Sequence, residues 1–217
     1  PFPHARLKSI DTSAAEAMPG VIRILTAEDI EKDGIGEVAG NPPPKRRGGA
    51  PGFRPPRPPI TKDRVLHVGQ IVAVVIAETI NRAKDATEAI EVDYNPLPAQ
   101  LDPIANNRPD APRFWEDCEN NEAFFAEKGD AAATEAAMTA APHVVKDTFE
   151  VTRITANTME PRAVAANYDE GRDHYTIYAG QQRPFAWREM MCKKMFFIPE
   201  NKMTVIAGDV GGSFGMK

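Results

Sequence analysis

Short apolar blocks, separated by polar and turn-forming residues, open the chain. The alternation of apolar and polar positions at 7–10 and in VIRIL at 21–25 predicts two strands. Between them, SAAEAM at 13–18 predicts a short helix, which the Pro-Gly pair at 19–20 ends. This succession of strand, helix and strand indicates that the chain begins with a small mixed α/β unit.

The longest apolar run, IVAVVIA at 71–77, predicts a strand that is buried on both faces. A helix capped by Thr79 or Asn81 is predicted next. Its apolar stripe at helical spacing consists of Ile80, Ala83, Thr87 and Ile90. The strand VDY at 92–94 follows, and a strand, a helix and a strand in close succession indicate a parallel crossover. We interpret residues 1–101 as one compact unit.

Residues 41–59 interrupt this unit. Their sequence, NPPPKRRGGAPGFRPPRPP, contains eight prolines, five basic residues and no acidic residue. Because proline has no N–H to donate, the segment is expected to run over the surface in an extended form. Two interpretations are open: an arm whose arginines dock on a partner surface or an acidic ligand, and a solvated insertion between two strands.

Residues 102–142 predict a connector, since they are rich in Asn, Asp, Ala and Pro. An alanine-rich helix inside it is expected to be capped by Asp130 and halted by Pro142. From residue 143 the pattern changes to strands, and the first of them is predicted at 144–153, VVKDTFEVTR.

The last part of the chain has a clear strand and helix pattern. AVAANYD at 163–169 and HYTIYAG at 174–180 predict a hairpin, with EGRD as its turn. A helix is predicted from Pro184, because proline suits the first helical position, and Pro199 closes it. One more strand at 202–210 leads into the glycine-rich sequence VGGSFG.

Composition adds mainly exclusions. With 42% hydrophobic and 26% charged residues, the chain has the composition of a soluble globular protein. A net charge of −5 does not favour binding to the phosphates of nucleic acid. No apolar run is long enough to span a bilayer. Cys118 and Cys192 lack metal-ligand spacing, so we expect reduced thiols in a cytoplasmic protein and no zinc ribbon or iron–sulfur cluster held by this chain alone.

Common catalytic motifs such as HExxH, GxSxG and the P-loop are absent from the sequence. Candidate chemistry therefore falls on VGGSFG. Gly211, Gly212 and Gly215 are free to take positive φ and to present bare backbone amides. Successive amides of this kind suit an anion or a polar cofactor, and Phe214 adds an apolar wall. The alternative is a tight bend in which Phe214 plugs a core.

Several segments stand together in the order found in one family. They are PHARLKSIDTSAAEAMPGVIRILTAEDI, DRVLHVGQIVAVVIAETINRAKDATEAIEVDYNPLPA, MEPRAVAANYD, IYAGQQRP and DVGGSFGMK. The chain thereby resembles the molybdopterin-binding large subunit, or domain, of the xanthine dehydrogenase, aldehyde oxidase and carbon monoxide dehydrogenase family. The resemblance covers nearly the whole chain, apart from residues 41–59 and parts of the connector.

This resemblance implies an α+β fold. An α/β hammerhead domain would occupy residues 1–101, with 41–59 as an insertion and 102–142 as the connector. The start of a molybdenum-cofactor-binding domain, with mixed sheet and helices, would occupy residues 143–217. The resemblance further implies an N-terminal fragment severed just after its cofactor loop, because much more chain follows this loop in the family.

The resemblance also implies the cofactor-binding residues. The family's glutamine in an STQxP-like segment falls on Gln182, whose amide would hydrogen-bond a ligand oxygen on molybdenum. The family's GGGFG loop, which lies beside the metal, falls on Gly211, Gly212, Ser213, Phe214 and Gly215. Ser213 departs from the family's glycine, and we expect a negative φ at this position.

Two further residues near this site are expected to have supporting or competing roles. Gln181 competes with Gln182, and it should point to the opposite side of an extended segment. Glu160 of MEPRA is expected to be buried and paired with Arg162 or a backbone amide. No catalytic base or metal ligand is implied within this chain, since the family's base lies further toward the C-terminus.

By the same resemblance the chain is part of a molybdenum hydroxylase. Such an enzyme hydroxylates an aldehyde, a purine or an N-heterocycle, or oxidises carbon monoxide, with oxygen derived from water. The implied cofactor is molybdenum-molybdopterin, shared with residues outside this chain. Expected partners are the remainder of the large subunit, subunits or domains carrying [2Fe-2S] clusters and FAD, and a small-molecule substrate. The alternative is a non-catalytic structural or assembly fragment whose site another chain completes.

Overall fold

The computed structural model describes residues 1–38, 40, 42–152 and 154–217. The strands are β1 (Ala5–Asp11), β2 (Val21–Leu25), β3 (Arg64–Val65), β4 (Val74–Ala77), β5 (Glu91–Pro96), β6 (Val164–Asp169), β7 (His174–Ala179) and β8 (Met203–Ile206). The helices are α1 (Ser13–Glu16), α2 (Ala27–Lys32), α3 (Ile80–Glu88), α4 (Pro103–Asn106), α5 (Ala131–Ala140) and α6 (Pro184–Met190). None of the helices in these ranges has the length and apolarity needed to cross a membrane. Asn41, the first residue of the proline-rich segment 41–59, and Arg153, the last residue of the strand predicted at 144–153, lie outside the described residues.

Two small sheets form the N-terminal part of the fold. β1 lies between β3 and β5 and pairs antiparallel with both. β2 and β4 form a separate antiparallel pair. Helices α1 and α3 pack on this pair, and Ala15, Ile24 and Ala86 are buried between them. Two of these three residues are alanine, and this small side chain lets a helix lie close to a sheet.

The parallel crossover predicted in this part is wrong. β4, α3 and β5 follow one another, but β4 pairs with β2 and β5 pairs with β1, in two different sheets. The run 71–77 is also not buried on both faces, because Val74 and Ile76 of β4 are 39% and 40% exposed. Helices cover only one face of this two-stranded sheet, and an apolar run by itself does not reveal that the other face is open.

Two helices begin where the sequence predicts. Thr79 caps α3, since its hydroxyl oxygen accepts a hydrogen bond from the Arg82 N–H at 3.3 Å. Asp130 caps α5 in the same way and accepts from the Ala133 N–H at 2.9 Å. In both cases the side-chain oxygen satisfies an N–H that has no partner within the helix.

The buried side of α3 differs from the predicted stripe. Ala86 is fully buried, whereas Ile80 is 70% exposed and Thr87 also faces solvent. The helix therefore packs through small side chains. The prediction is wrong for Ile80 and Thr87, whereas Ala83 is half-buried and Ile90 packs against the buried cluster as predicted.

The proline-rich segment lies against the connector. The Phe53 N–H donates to the Ala123 carbonyl at 2.7 Å. Arg47 forms an ion pair with Glu122 at 2.9 Å, and its guanidinium stacks over the Phe125 ring at 3.8 Å. These contacts attach the segment to its own chain, so it is neither a free arm nor a loop that is only solvated. Arg47 is already paired with an acid of its own chain.

The C-terminal part contains the predicted hairpin of β6 and β7. β8 pairs parallel with β7, and α6 lies between them in sequence. A parallel neighbour requires a crossover connection, which α6 provides. The buried residues of this part are Ile177, Met191, Cys192 and Met203, with Trp187 packed against them. This core holds the last strand, and β8 delivers the glycine-rich loop.

The strand predicted at 144–153 is not found in the described residues 144–152. Phe149 and Val151 are 86% and 87% exposed. An alternating pattern forms a strand only when a neighbouring strand accepts and donates its backbone hydrogen bonds. None of the described strands pairs with this segment.

Replacing Ile24 by alanine should lower the free energy of unfolding by about 2–5 kcal/mol, because packed methyl groups are lost and a cavity remains. Ile22 on the same strand is 65% exposed, whereas Ile24 is 5% exposed. Ile22→Ala is therefore the matched control and should change stability by less than about 0.5 kcal/mol. Denaturant unfolding of the purified protein measures both values. Equal losses for the two variants would contradict the core described above.

Candidate functional site

The glycine-rich loop follows β8, and positive φ angles turn its backbone. φ is +94° at Gly212, +47° at Phe214 and +81° at Gly215. Glycine adopts such angles readily, but for phenylalanine the cost is roughly 1–2 kcal/mol. The Met216 N–H donates to the Ser213 carbonyl at 2.7 Å. Phe214 and Gly215 therefore occupy the two central positions of a tight turn in which both φ angles are positive.

The loop meets the expected backbone angles at some positions and not at others. Gly212 and Gly215 take positive φ, and Ser213 does not, as its side chain predicts. Gly211 also lacks a positive φ, contrary to expectation. Glycine is needed here because the backbone lies close to Glu160: a Cβ at this position would be 2.5 Å from the Cβ of Glu160.

Three successive backbone amides of the loop are open. In the part of the chain that the structure describes, the N–H groups of residues 213–215 donate to no protein acceptor. The amides of Gly211 and Gly212 are used within the protein. Neighbouring unpaired amides can bind one anionic or polar acceptor. The Phe214 side chain is 72% exposed, so the alternative in which it plugs a core is wrong.

The carboxylate of Glu160 lies at the start of this loop. Its Oε2 accepts from the Gly211 N–H at 2.9 Å and from Lys217 Nζ at 2.7 Å. The Glu160 N–H in turn donates to the Gly211 carbonyl at 3.1 Å. Lys217 and, next, the Gly211 amide hold the pKa of the Glu160 carboxyl below its usual value. The expected bond to a backbone amide is found, but Arg162 is not the partner and Glu160 is half-exposed, so its predicted burial is wrong.

Arg162 and Gln182 contact the other end of the loop. Arg162 donates to the Met216 carbonyl at 2.5 Å. The Gln182 N–H donates to the Lys217 carbonyl at 3.4 Å, a long bond that brings the Gln182 backbone, with an exposed side chain, beside the loop. Sequence reasoning missed Lys217, whose side chain is only 2% exposed. A cation just after the glycines, together with the acid of MEPR, was the signal that could have found it.

A groove with an excess of positive charge adjoins the loop. It has a volume of about 570 Å³, and both Gln181 and Gln182 line it. Its charged lining residues are Arg183, Glu189, Lys193, Lys194 and Lys217. Lys217 pairs with Glu160, and Lys193 pairs with Glu189 and Glu200. Arg183 and Lys194 are the groove cations without an ion-pair partner in the described structure, and they favour an anionic ligand. Gln181 and Gln182 were expected to point to opposite sides of their segment, but both line this groove. Gln181 also lines a second cavity, of about 340 Å³, which Lys217 lines as well.

Other places in the described chain are weaker candidates. A larger cavity of about 750 Å³ lies beside β1 and β2 and contains none of the predicted site residues. Its arginine is already paired, since Arg23 contacts Asp29 at 2.8 Å. Within the described ranges, no cluster of three or more His, Cys, Asp or Glu side chains could hold a metal ion. Cys118 and Cys192 are buried free thiols, as expected.

Comparison with known protein families divides the chain in two. Residues 1–98 match the family model described as aldehyde oxidase and xanthine dehydrogenase, a/b hammerhead domain. Residues 114–217 match the model described as molybdopterin cofactor-binding domain. The second match includes Glu160, Gln182 and the whole glycine-rich loop.

Individual proteins give the same result. The chain is 34% identical to the carbon monoxide dehydrogenase large chain of Afipia carboxidovorans, over 99% of this chain and 26% of that protein. It is 31% identical to the nicotine 6-hydroxylase large subunit of Paenarthrobacter nicotinovorans, over 100% of this chain and 26% of that protein. A solved structure of reconstituted CO dehydrogenase from Oligotropha carboxidovorans superposes with a TM-score of 0.80, at 33% identity, over 98% of this chain and 26% of that one. The chain therefore spans about a quarter of the length of these relatives.

Adding a methyl group at Gly211 should damage the loop, because the new Cβ would lie 2.5 Å from Glu160 Cβ. We expect Gly211→Ala to lower the free energy of unfolding by about 1–3 kcal/mol, as overpacking typically does. Gly208 has open space around it and no positive φ, so Gly208→Ala is the matched control and should stay within about 0.5 kcal/mol of the unchanged protein. Denaturant unfolding of both variants checks this prediction, which equal stabilities would contradict.

Proposed function

We propose that this chain, which belongs to the aldehyde oxidase and xanthine dehydrogenase family and carries its hammerhead and molybdopterin cofactor-binding domains, supplies part of the cofactor site of a larger molybdenum hydroxylase. The observation that carries the proposal is the set of three amides at 213–215, which are unpaired in the described structure, in a loop whose last residue, Lys217, contacts the Gln182 backbone. The matched relatives are named as a carbon monoxide dehydrogenase and a nicotine 6-hydroxylase, which supports an oxidative reaction.

The residues at the loop have the chemistry that a molybdenum-molybdopterin cofactor requires. The cofactor is anionic and rich in oxygen and sulfur acceptors, so it needs donors and positive charge. The amides of residues 213–215 provide donors, and the adjoining groove carries two cations, Arg183 and Lys194, that have no ion-pair partner in the described structure. Gly211 and Gly212 have no Cβ atom, and a Cβ added at either position would lie 3.1 Å or less from a neighbouring side chain. These features support binding here.

When bound, the cofactor supplies the two-electron redox centre of the reaction. Under this proposal the chain's own residues bind and orient. The amides at 213–215 and the side-chain amide of Gln182 would hold the cofactor as hydrogen-bond donors. Such fixed dipoles stabilise developing negative charge without reorganising during the reaction. The exposed ring of Phe214 forms an apolar wall that excludes water from one side of the substrate.

The proposed reaction is the oxidation of a small substrate with oxygen from water. Candidate substrates are an aldehyde, a purine, an N-heterocycle or carbon monoxide. Electrons would leave through [2Fe-2S] clusters and FAD on partner subunits or domains. The names of the relatives support a multi-subunit assembly, since one is a "large chain" and another a "large subunit". The remainder of such a large subunit would complete the site.

Gln182→Ala should lower turnover of the complete enzyme by roughly 10–100-fold, the usual effect of removing a hydrogen bond to a metal ligand. Because Gln182 is exposed, the variant should fold normally. Gln181→Ala is the matched control one position away, and it should lose much less activity. Steady-state kinetics measure both variants, with thermal unfolding to confirm the fold.

Unchanged turnover in Gln182→Ala would contradict the role of this residue. Molybdenum content of the complete protein tests the broader proposal. Stoichiometric metal is expected, and its absence from correctly folded protein would favour the alternative of a non-catalytic structural or assembly fragment.

A further inference from the structure

The glycine-rich loop is tied down at both ends and open in the middle. The N–H of its first residue, Gly211, donates to Glu160 Oε2 at 2.9 Å, and the Gly211 carbonyl accepts from the Glu160 N–H at 3.1 Å. Its last residue, Lys217, reaches the same carboxylate oxygen at 2.7 Å. Between these anchors, residues 213–215 have unpaired amides in the described structure. One side chain on a separate segment therefore joins the two ends of the loop, while Arg162 and the Gln182 backbone contact only its last two residues.

The open middle of the loop is strained and needs these anchors. Phe214 has a φ of +47°, which costs roughly 1–2 kcal/mol for a residue other than glycine. Strain of this kind persists only where surrounding contacts fix the backbone. The turn from Ser213 to Met216 has one internal hydrogen bond, at 2.7 Å, so its shape depends on how its two ends are held.

The carboxylate of Glu160 is itself held in one position. A Cβ on Gly180 would lie 2.7 Å from Glu160 Oε1, and a Cβ on Gly211 would lie 2.5 Å from Glu160 Cβ. The side chain thus fits between two glycines of different segments. The Thr158 hydroxyl donates to the Glu160 carbonyl at 2.6 Å and fixes its backbone. The position of the loop is set by a side chain that has little freedom to move.

We propose that Glu160 is a positioning residue that closes the glycine-rich loop and keeps the amides of residues 213–215 free for the cofactor. This inference rests on the proposed function of the loop, but it assigns a different task to a different residue. The task assigned to Glu160 requires no contact with substrate or metal. It acts by holding Gly211 and Lys217 to one oxygen atom, so that the strained turn between them keeps its shape.

The buried charge of Lys217 provides a direct readout of this closure. Its side chain is 2% exposed, and Glu160 is its carboxylate partner. An ammonium group that loses its counter-charge in a buried position is strongly disfavoured. Removing the carboxylate should therefore drive Lys217 into solvent and release the end of the loop. The amine of Lys217 then becomes reactive.

The experiment measures amine labelling of lysines in the complete purified protein, read residue by residue by mass spectrometry. Lys217 should label slowly in the unchanged protein and at least about tenfold faster in Glu160→Gln and Glu160→Ala, as expected when a charge-assisted hydrogen bond is lost. Exposed lysines such as Lys8 and Lys62 should label equally in all proteins. Bound molybdenum, measured on the same samples, should fall in both variants.

Glu200→Gln is the matched control. Glu200 accepts from Arg188 and Lys193 at 3.1 Å each, and its side chain is 32% exposed against 39% for Glu160. It therefore undergoes the same chemical change away from the loop, and it should alter neither Lys217 labelling nor metal content. If Glu160→Ala does not fold, the isosteric Glu160→Gln carries the test.

The outcomes separate this inference from the function proposed for the loop. Protected Lys217 in both Glu160 variants, or rapid labelling in the unchanged protein, overturns the closure by Glu160. Released Lys217 with full metal content shows that closure does not serve cofactor binding, which also overturns the inference. Released Lys217 in a protein that never contains molybdenum would leave Glu160 as the closing residue of a loop with another task, and so refute the cofactor function.

Discussion

A single carboxylate oxygen, Oε2 of Glu160, organises the part of the molecule that carries its candidate chemistry. It accepts from the amide that starts the glycine-rich loop and from the lysine that ends it. Charge-assisted hydrogen bonds are roughly twice as strong as neutral ones, and two of them meet on this one atom. Arg162 and the Gln182 backbone also contact the end of the loop, at Met216 and Lys217. We infer that the strained Phe214 turn and the open amides depend on the Glu160 anchor.

The surrounding fold explains how the loop reaches this carboxylate. β8 pairs parallel with the central strand β7 and is held by the buried residues of α6 and the hairpin. The loop leaves from the end of β8, while Gln182 lies between the end of β7 and the start of α6. Parallel neighbours bring their carboxyl ends to the same edge of a sheet, so these two segments meet. A site at this edge follows from the topology.

The sequence predicted local features, such as caps and turns, better than the pairing of strands that are distant in sequence. The caps at Thr79 and Asp130 and the hairpin of β6 and β7 depend on nearby residues, and they are confirmed. The parallel crossover at 71–94 and the strand at 144–153 depend on which distant strands are within reach, and these predictions are wrong. Hydrophobic periodicity contains no information about the neighbour of a strand.

The site shows the same division. The family resemblance predicted the loop and Gln182 as cofactor contacts, and the two matching family models support the resemblance itself. The ion pair of Glu160 with Lys217 joins residues 57 positions apart, so local pattern marked its two members but not their pairing. The carboxylate was expected to pair with Arg162, two residues away, or with a backbone amide, and the bond from the Gly211 amide confirms the second alternative.

The central claim is that the amides of residues 213–215 are kept open to hold a molybdenum cofactor. An experimental structure of the complete, cofactor-loaded protein tests it most directly. We expect an acceptor atom of the cofactor within about 3.2 Å of at least one of these amide nitrogens, with Gly211 and Lys217 still bound to Glu160. A cofactor bound elsewhere, with these amides facing solvent or paired within the protein, would contradict the claim.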